Sequence, residues 1–111
     1  MTKEKIMEIV NAYVNDAYNI FGSKLKSVLL FGSCARGDFD DESDIDLMVL
    51  LDVPPQQIPS ERRKMRKTAD RLDLEYDCVI SAAFQSYDEF ETYRDASMFY
   101  TNVVKEGLRV G

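Results

Sequence analysis

The feature that most limits what this chain can become is a pair of continuous apolar runs, Val28 to Phe31 and Leu47 to Leu51. Between them lies a polar, acid-rich segment that begins at Gly32-Ser33 and closes with Ser43-Asp44-Ile45-Asp46. Runs this short and unbroken suit strands covered on both faces, and the glycine and polar residues beside them mark where each strand stops. Asp46 is out of keeping with its run, a carboxylate at the mouth of a segment that is otherwise core. An ionised carboxylate is not buried without a cation or a full set of donors. Asp44 and Asp46, two apart at a strand edge, therefore ask for positive charge, most simply a metal ion.

The rest of the chain supplies elements to pack around such a pair of strands. Ile6, Ile9, Val10, Tyr13, Val14, Ala17 and Phe21 fall at helical spacing, which predicts an amphipathic helix from about Lys3 to Phe21 with Gly22 as its stop. Leu25 to Phe31 reads as the first strand, Gly32 to Gly37 as a turn or very short helix, Asp38 to Ser43 as an exposed loop, and Ile45 to Leu51 as the second strand. The prolines of Val53-Pro-Pro-Gln-Gln-Ile-Pro59 argue against regular structure there. Ser60 is placed to cap a helix running to about Leu72, with Met65, Ala69 and Leu72 as a thin apolar stripe. That helix holds six of the fourteen cations: Arg62, Arg63, Lys64, Arg66, Lys67 and Arg71. They read first as a solvated outer face, and second as a docking surface for an acidic partner or for phosphates.

Alternation in Leu74 to Ile80 predicts a third strand, with Glu75, Asp77 and Val79 on one face. Asp77 is then a second carboxylate intruding on an apolar strand. Ser86 and Glu89 have capping-box spacing and open a short helix with Phe90 and Tyr93. A last helix, from about Ala96 to Glu106, stops at Gly107. The aromatics Phe84, Tyr87, Phe90, Phe99 and Tyr100 read as packing rather than a base-stacking platform.

A chain of 111 residues suits one compact domain spanning residues 1–111. Its net charge of −6 disfavours direct binding to nucleic acid or anionic membranes. No apolar run reaches membrane-spanning length and no secretory signal is visible, so the expected location is cytoplasmic, with Cys34 and Cys78 as free thiols. The chain has no histidine. A Cys-His nucleophile, a histidine base and a histidine zinc site are therefore excluded, and acid–base chemistry falls to carboxylates.

These residues meet the physical demands of nucleotidyl transfer. Triphosphate binding needs backbone N–H groups at a point of close approach, and Gly32-Ser33 follows a strand as a phosphate loop should. Magnesium prefers carboxylate oxygens. Asp44 and Asp46 leave one face of a strand about 7 Å apart at Cα, a spacing compatible with one metal, or with two about 4 Å apart. Asp77 on a neighbouring strand could complete the set and help deprotonate the acceptor hydroxyl, and Arg36 could reach a phosphate oxygen. A solvated acidic loop is the plain alternative. A calcium loop of the EF-hand kind needs flanking helices, where strands are expected here, and no Gly-Lys-Ser/Thr follows Gly32 to make a Walker loop.

Gly32-Ser-Cys-Ala-Arg-Gly37, followed by Ser43-Asp-Ile-Asp-Leu47 with ten residues between Ser33 and Asp44, closely resembles the signature of the minimal nucleotidyltransferases, the small single-domain branch of the DNA polymerase β-like superfamily. The ending Phe99-Tyr-Thr-Asn-Val-Val-Lys-Glu-Gly-Leu108 resembles that branch too. The resemblance implies an α+β fold, a small mixed sheet backed by helices on one side. It implies that Gly32, Ser33, Arg36 and Ser43 bind nucleotide, and that Asp44, Asp46 and Asp77 are catalytic and hold Mg2+, with two ions expected. ATP is the implied substrate and AMP the transferred group. The implied acceptor is a tyrosine hydroxyl of a HEPN-domain toxin, to which this chain would be the antitoxin in a hetero-oligomer. The alternatives are an antitoxin that neutralises by contact alone, or a transferase acting on a small-molecule or RNA hydroxyl.

Overall fold

The computed structural model describes all residues, 1–111. Its centre is a hairpin-like pair, β1 (Leu25–Phe31) and β2 (Ile45–Leu51), running antiparallel with Leu30 opposite Leu47 and Phe31 opposite Asp46. The link between them contains one short helix, α2 (Ser33–Arg36). The sheet is extended beside β2 by a parallel strand, β3 (Ile80–Ser86), and beside β1 by a two-residue antiparallel strand, β4 (Leu108–Arg109). The order is β3-β2-β1-β4, a mixed sheet as expected.

Side chains alternate across this sheet, and each face finds its own cover. Val28, Leu30, Ile45, Leu47, Val49 and Leu51 pack with the buried stripe of α1 (Lys3–Phe21), whose N-cap Thr2 hydroxyl accepts the Lys5 N–H. The opposite face, with Met48 and Leu50 buried, packs on Phe90 of α5 (Tyr87–Tyr93) and Val103 of α6 (Met98–Glu106). Helices thus cover both faces, not one. The reason is legible in β2, whose side chains from Leu47 to Leu51 are all buried. A strand apolar on both sides exposes one face unless a second layer covers it.

Between β2 and β3 the chain departs from the sequence reading in three ways. The proline segment is not irregular throughout, because a helix α3 (Ile58–Arg63) starts inside it with Pro59 in its first turn, where a missing N–H is harmless. Ser60 lies within α3 and donates its hydroxyl to the Gln57 carbonyl instead of capping. After a break at Lys64-Met65, α4 (Arg66–Tyr76) runs through the stretch expected to be the third strand. Buried Met65, Thr68 and Leu72 set the helical period that α4 follows, and Leu74, placed on an inner strand face by the alternation, is 87% exposed. Thr68 and Arg71 both donate to Asp16 of α1 at 2.9 Å, which ties α4 to α1. Asp77 ends α4 in the left-handed region, φ +51°, and β3 begins only at Ile80.

Candidate active site

The β1–α2–β2 link builds the site. Gly32 has φ +71°, a conformation that L side chains rarely adopt, and its carbonyl accepts the N–H groups of both Ala35 and Arg36. Gly37 closes the turn at φ +91°. Because Phe31 is registered opposite Asp46, Gly32 lies against the Asp46 side chain. A Cβ on Gly32 would be 3.2 Å from Asp46 Cγ and would collide with Oδ2. Glycine is required here by both its dihedral angle and its neighbour.

Asp44 is exposed just before β2, and Asp46 is partly buried on its second residue. The Asp46 carboxyl holds its proton above the ordinary carboxylate range, first because burial disfavours the charge and second because Asp44 is near, with Arg36 opposing both. Cys34 lies behind the pair. Its thiol donates to the Asp44 carbonyl at 3.4 Å, and burial and the two aspartates raise its pKa. It is a buried core residue, more enclosed than a loop position suggests. A raised carboxyl beside a second carboxylate is chemically unsatisfied, and a divalent cation would relieve it.

Arg36 sits at the end of α2. Its Nε donates to Asp38 at 3.3 Å and its Nη1 to Glu106, at the end of α6, at 3.1 Å. A guanidinium has five N–H donors, so this clasp leaves others free. Ser43 is engaged within the acidic loop. Its hydroxyl accepts the Asp40 N–H at 2.9 Å and donates to Asp40 Oδ1, while the Glu42 N–H donates to that same oxygen at 2.8 Å. The structure therefore brings Gly32, Ser33, Asp44, Asp46 and Arg36 together around one turn and uses Ser43 to shape the approach to it.

Asp77 is not on a sheet strand: it ends α4, three residues before β3. It lines a separate hollow with Met1, Lys5, Asp41, Glu75 and Tyr76, and no cluster of three acidic or thiol side chains is arranged to hold a metal. The strand placement that gave Asp77 its role is corrected by the path of α4. In turn, sequence reasoning missed Glu106, which lies seventy residues from Arg36. Phe99, read as a packing aromatic, does pack, edge-on against Phe31 at 5.7 Å. Both lie within the chain's family-like ending, but nothing in their local pattern names the partner.

The family model described as "Nucleotidyltransferase domain" matches residues 9–108. A provisionally named protein adenylyltransferase of Methanocaldococcus jannaschii is 43% identical over 77 residues, 69% of this chain and 76% of that one. A second from the same organism is 33% identical over 107 residues, 96% of each chain. Among solved structures, a provisionally named nucleotidyltransferase of Sulfolobus solfataricus superposes with a TM-score of 0.64 at 20% identity, covering 96% of this chain and 80% of that one. A chain of a toxin–antitoxin crystallised with AMP-PNP gives 0.52 at 18% identity, covering 89% and 70%.

Proposed function

This chain belongs to the nucleotidyltransferase domain family, and on that premise we propose that it moves AMP from ATP to a hydroxyl of a partner protein. In this reading it acts as an antitoxin on a HEPN-domain toxin, with tyrosine as the acceptor. The observation that carries the reading is the packing of Gly32 directly on the Asp46 carboxylate, with Asp44 beside it. A binder without chemistry has no use for a close backbone approach to an unsatisfied carboxylate pair.

Asp44 and Asp46 would hold Mg2+, with two ions as the expected number. When bound, magnesium offsets the negative charge of the phosphates. Gly32 lets the triphosphate approach the backbone, Ser33 offers a hydroxyl, and the free donors of Arg36 reach phosphate oxygens while Glu106 and Asp38 hold its direction. The acceptor oxygen forms a bond to the α-phosphorus, the bond to the β-phosphate oxygen breaks, and pyrophosphate leaves. Asp44 and Asp46 are committed to the metal in this reading, so the hydroxyl proton passes to solvent water as the new bond forms. We assign Asp77 no role in this proposal, because the place on a strand that suggested one is not observed.

The protein acceptor is supported by the names of the two archaeal relatives, and the toxin by the family resemblance and the shared fold. A nucleic-acid acceptor is opposed by the net charge of −6. Intact-mass spectrometry of the co-expressed partner tests the reading. An AMP-sized increment should appear with the wild-type chain and vanish with Asp44→Asn/Asp46→Asn. No increment, with full neutralisation by the double variant, would establish an antitoxin that works by contact.

A further inference from the structure

β3 is an edge strand, paired only with β2. The Ile45 N–H donates to the Val79 carbonyl, while the Ile80 N–H is taken by the Asp73 side chain at 2.9 Å. Those two bonds fix the phase of the parallel ladder: alternate residues face β2, and Ile80, Ala82 and Phe84 turn their backbone groups outward. Asp73 caps the first of these N–H groups, which leaves those of Ala82 and Phe84 at the open edge. The usual protections of an edge are missing, since Ile80-Ser-Ala-Ala-Phe-Gln-Ser86 has no proline, lysine or other charge.

Beside this edge runs a groove of about 250 Å³, floored by Met65, Ala69, Ile80, Ala82 and Phe84 and rimmed by Arg62 and Arg66. Lys64 pairs with Glu61 and Arg71 with Asp16, but Arg62, Arg63, Arg66 and Lys67 form no ion pair. Two unpaired arginines, Arg62 and Arg66, beside an open strand edge on a chain of net charge −6 are a local reversal of sign.

We propose that this edge is a docking groove for an extended, acidic segment of a partner protein, which joins the sheet as a fifth strand against Ala82 and Phe84 while its carboxylates meet Arg62 and Arg66. Backbone pairing supplies affinity and the rim supplies selectivity, as in other strand-addition sites. A second copy of this chain is the poorer occupant. Two β3 edges paired antiparallel about a two-fold axis would put both arginine rims on one face of the joined sheet, like charge toward like. The inference goes beyond nucleotidyl transfer and does not depend on it, because a chain with silenced aspartates presents the same edge.

The test uses the full chain and three soluble synthetic peptides: alternating Thr-Glu, alternating Thr-Lys, and Thr-Glu with alternate amides N-methylated. The Thr-Glu peptide should bind at about millimolar concentration or below and shift the Ala82 and Phe84 amide resonances. The other two peptides should not. Arg62→Glu/Arg66→Glu should weaken binding at least roughly tenfold. Ala82→Pro, which removes an outward N–H and spares the β2 ladder, should weaken it by taking away that donor. The proposal is overturned by equal binding of the Thr-Lys peptide, by binding without shifts at Ala82 and Phe84, or by no binding at millimolar peptide. It is equally overturned by a dimer that Ala82→Pro abolishes, or by a labelled oligonucleotide that shifts the same two amides.

Discussion

Replacing Gly32 with alanine separates the geometry of the site from the stability of the fold. Two effects act at that position. The backbone at φ +71° and ψ −157° is open essentially to glycine alone and costs an L residue on the order of 1–3 kcal/mol, a stability loss visible in urea unfolding. The new Cβ also collides with Asp46 Oδ2, so the carboxylate must retreat by about 1 Å, a displacement that can cost on the order of a hundredfold in rate. Disturbing a ligand's immediate support typically lowers metal affinity by about 10–100-fold. Calorimetric titration with ATP in excess magnesium should therefore show a loss of that size for Gly32→Ala. Gly37→Ala is the matched control, because Gly37 has φ +91° but nothing within 4 Å of its notional Cβ. Gly37, in the left-handed helical region, should lose about 1 kcal/mol of stability on substitution and keep its nucleotide affinity. Unchanged affinity in Gly32→Ala, or an equal loss in Gly37→Ala, would refute the claim that Gly32 serves the site through its contact with Asp46.

Asp46→Asn should abolish transfer and stabilise the metal-free protein at neutral pH. The folded-state pKa of Asp46 is raised, so the native chain binds more protons than the unfolded chain between the ordinary carboxylate range and that raised value. Native stability accordingly falls as pH rises through this window, and the gain from Asp46→Asn should fade below about pH 4. Urea unfolding in chelator across that range checks it, and a variant less stable than wild type at pH 7 contradicts it. Asp77→Gly relieves a left-handed residue at the end of α4 and should gain about 1 kcal/mol without loss of transfer. A tenfold fall in transfer, read on the co-expressed partner, would return Asp77 to the chemistry.

The site was legible in the sequence to the extent that its parts are local. Gly32, Ser33, Arg36, Asp44 and Asp46 lie within one strand–turn–strand unit, and the same apolar runs that predict the two strands pair Phe31 with Asp46 and so bring Gly32 against its carboxylate. The first helix and both central strands come out at the expected residues for the same reason, since each declares its period within its own length. The segment from Leu74 to Ile80 does not. Glu75, Asp77 and Val79 alternate with Leu74, Tyr76, Cys78 and Ile80, yet the preceding buried positions Met65, Thr68 and Leu72 already commit the chain to a helix packed on α1 through Asp16. A tertiary contact more than fifty residues away in sequence thus overrides a local alternation. The true third strand, Ile80 to Ser86, is poor in β-branched residues and is held by its parallel ladder with β2 rather than by propensity. That weakness has a physical counterpart at the open edge. A strand ordered from one side only, with small uncharged residues and outward N–H groups at Ala82 and Phe84, is better stabilised by a further strand than by anything in its own sequence.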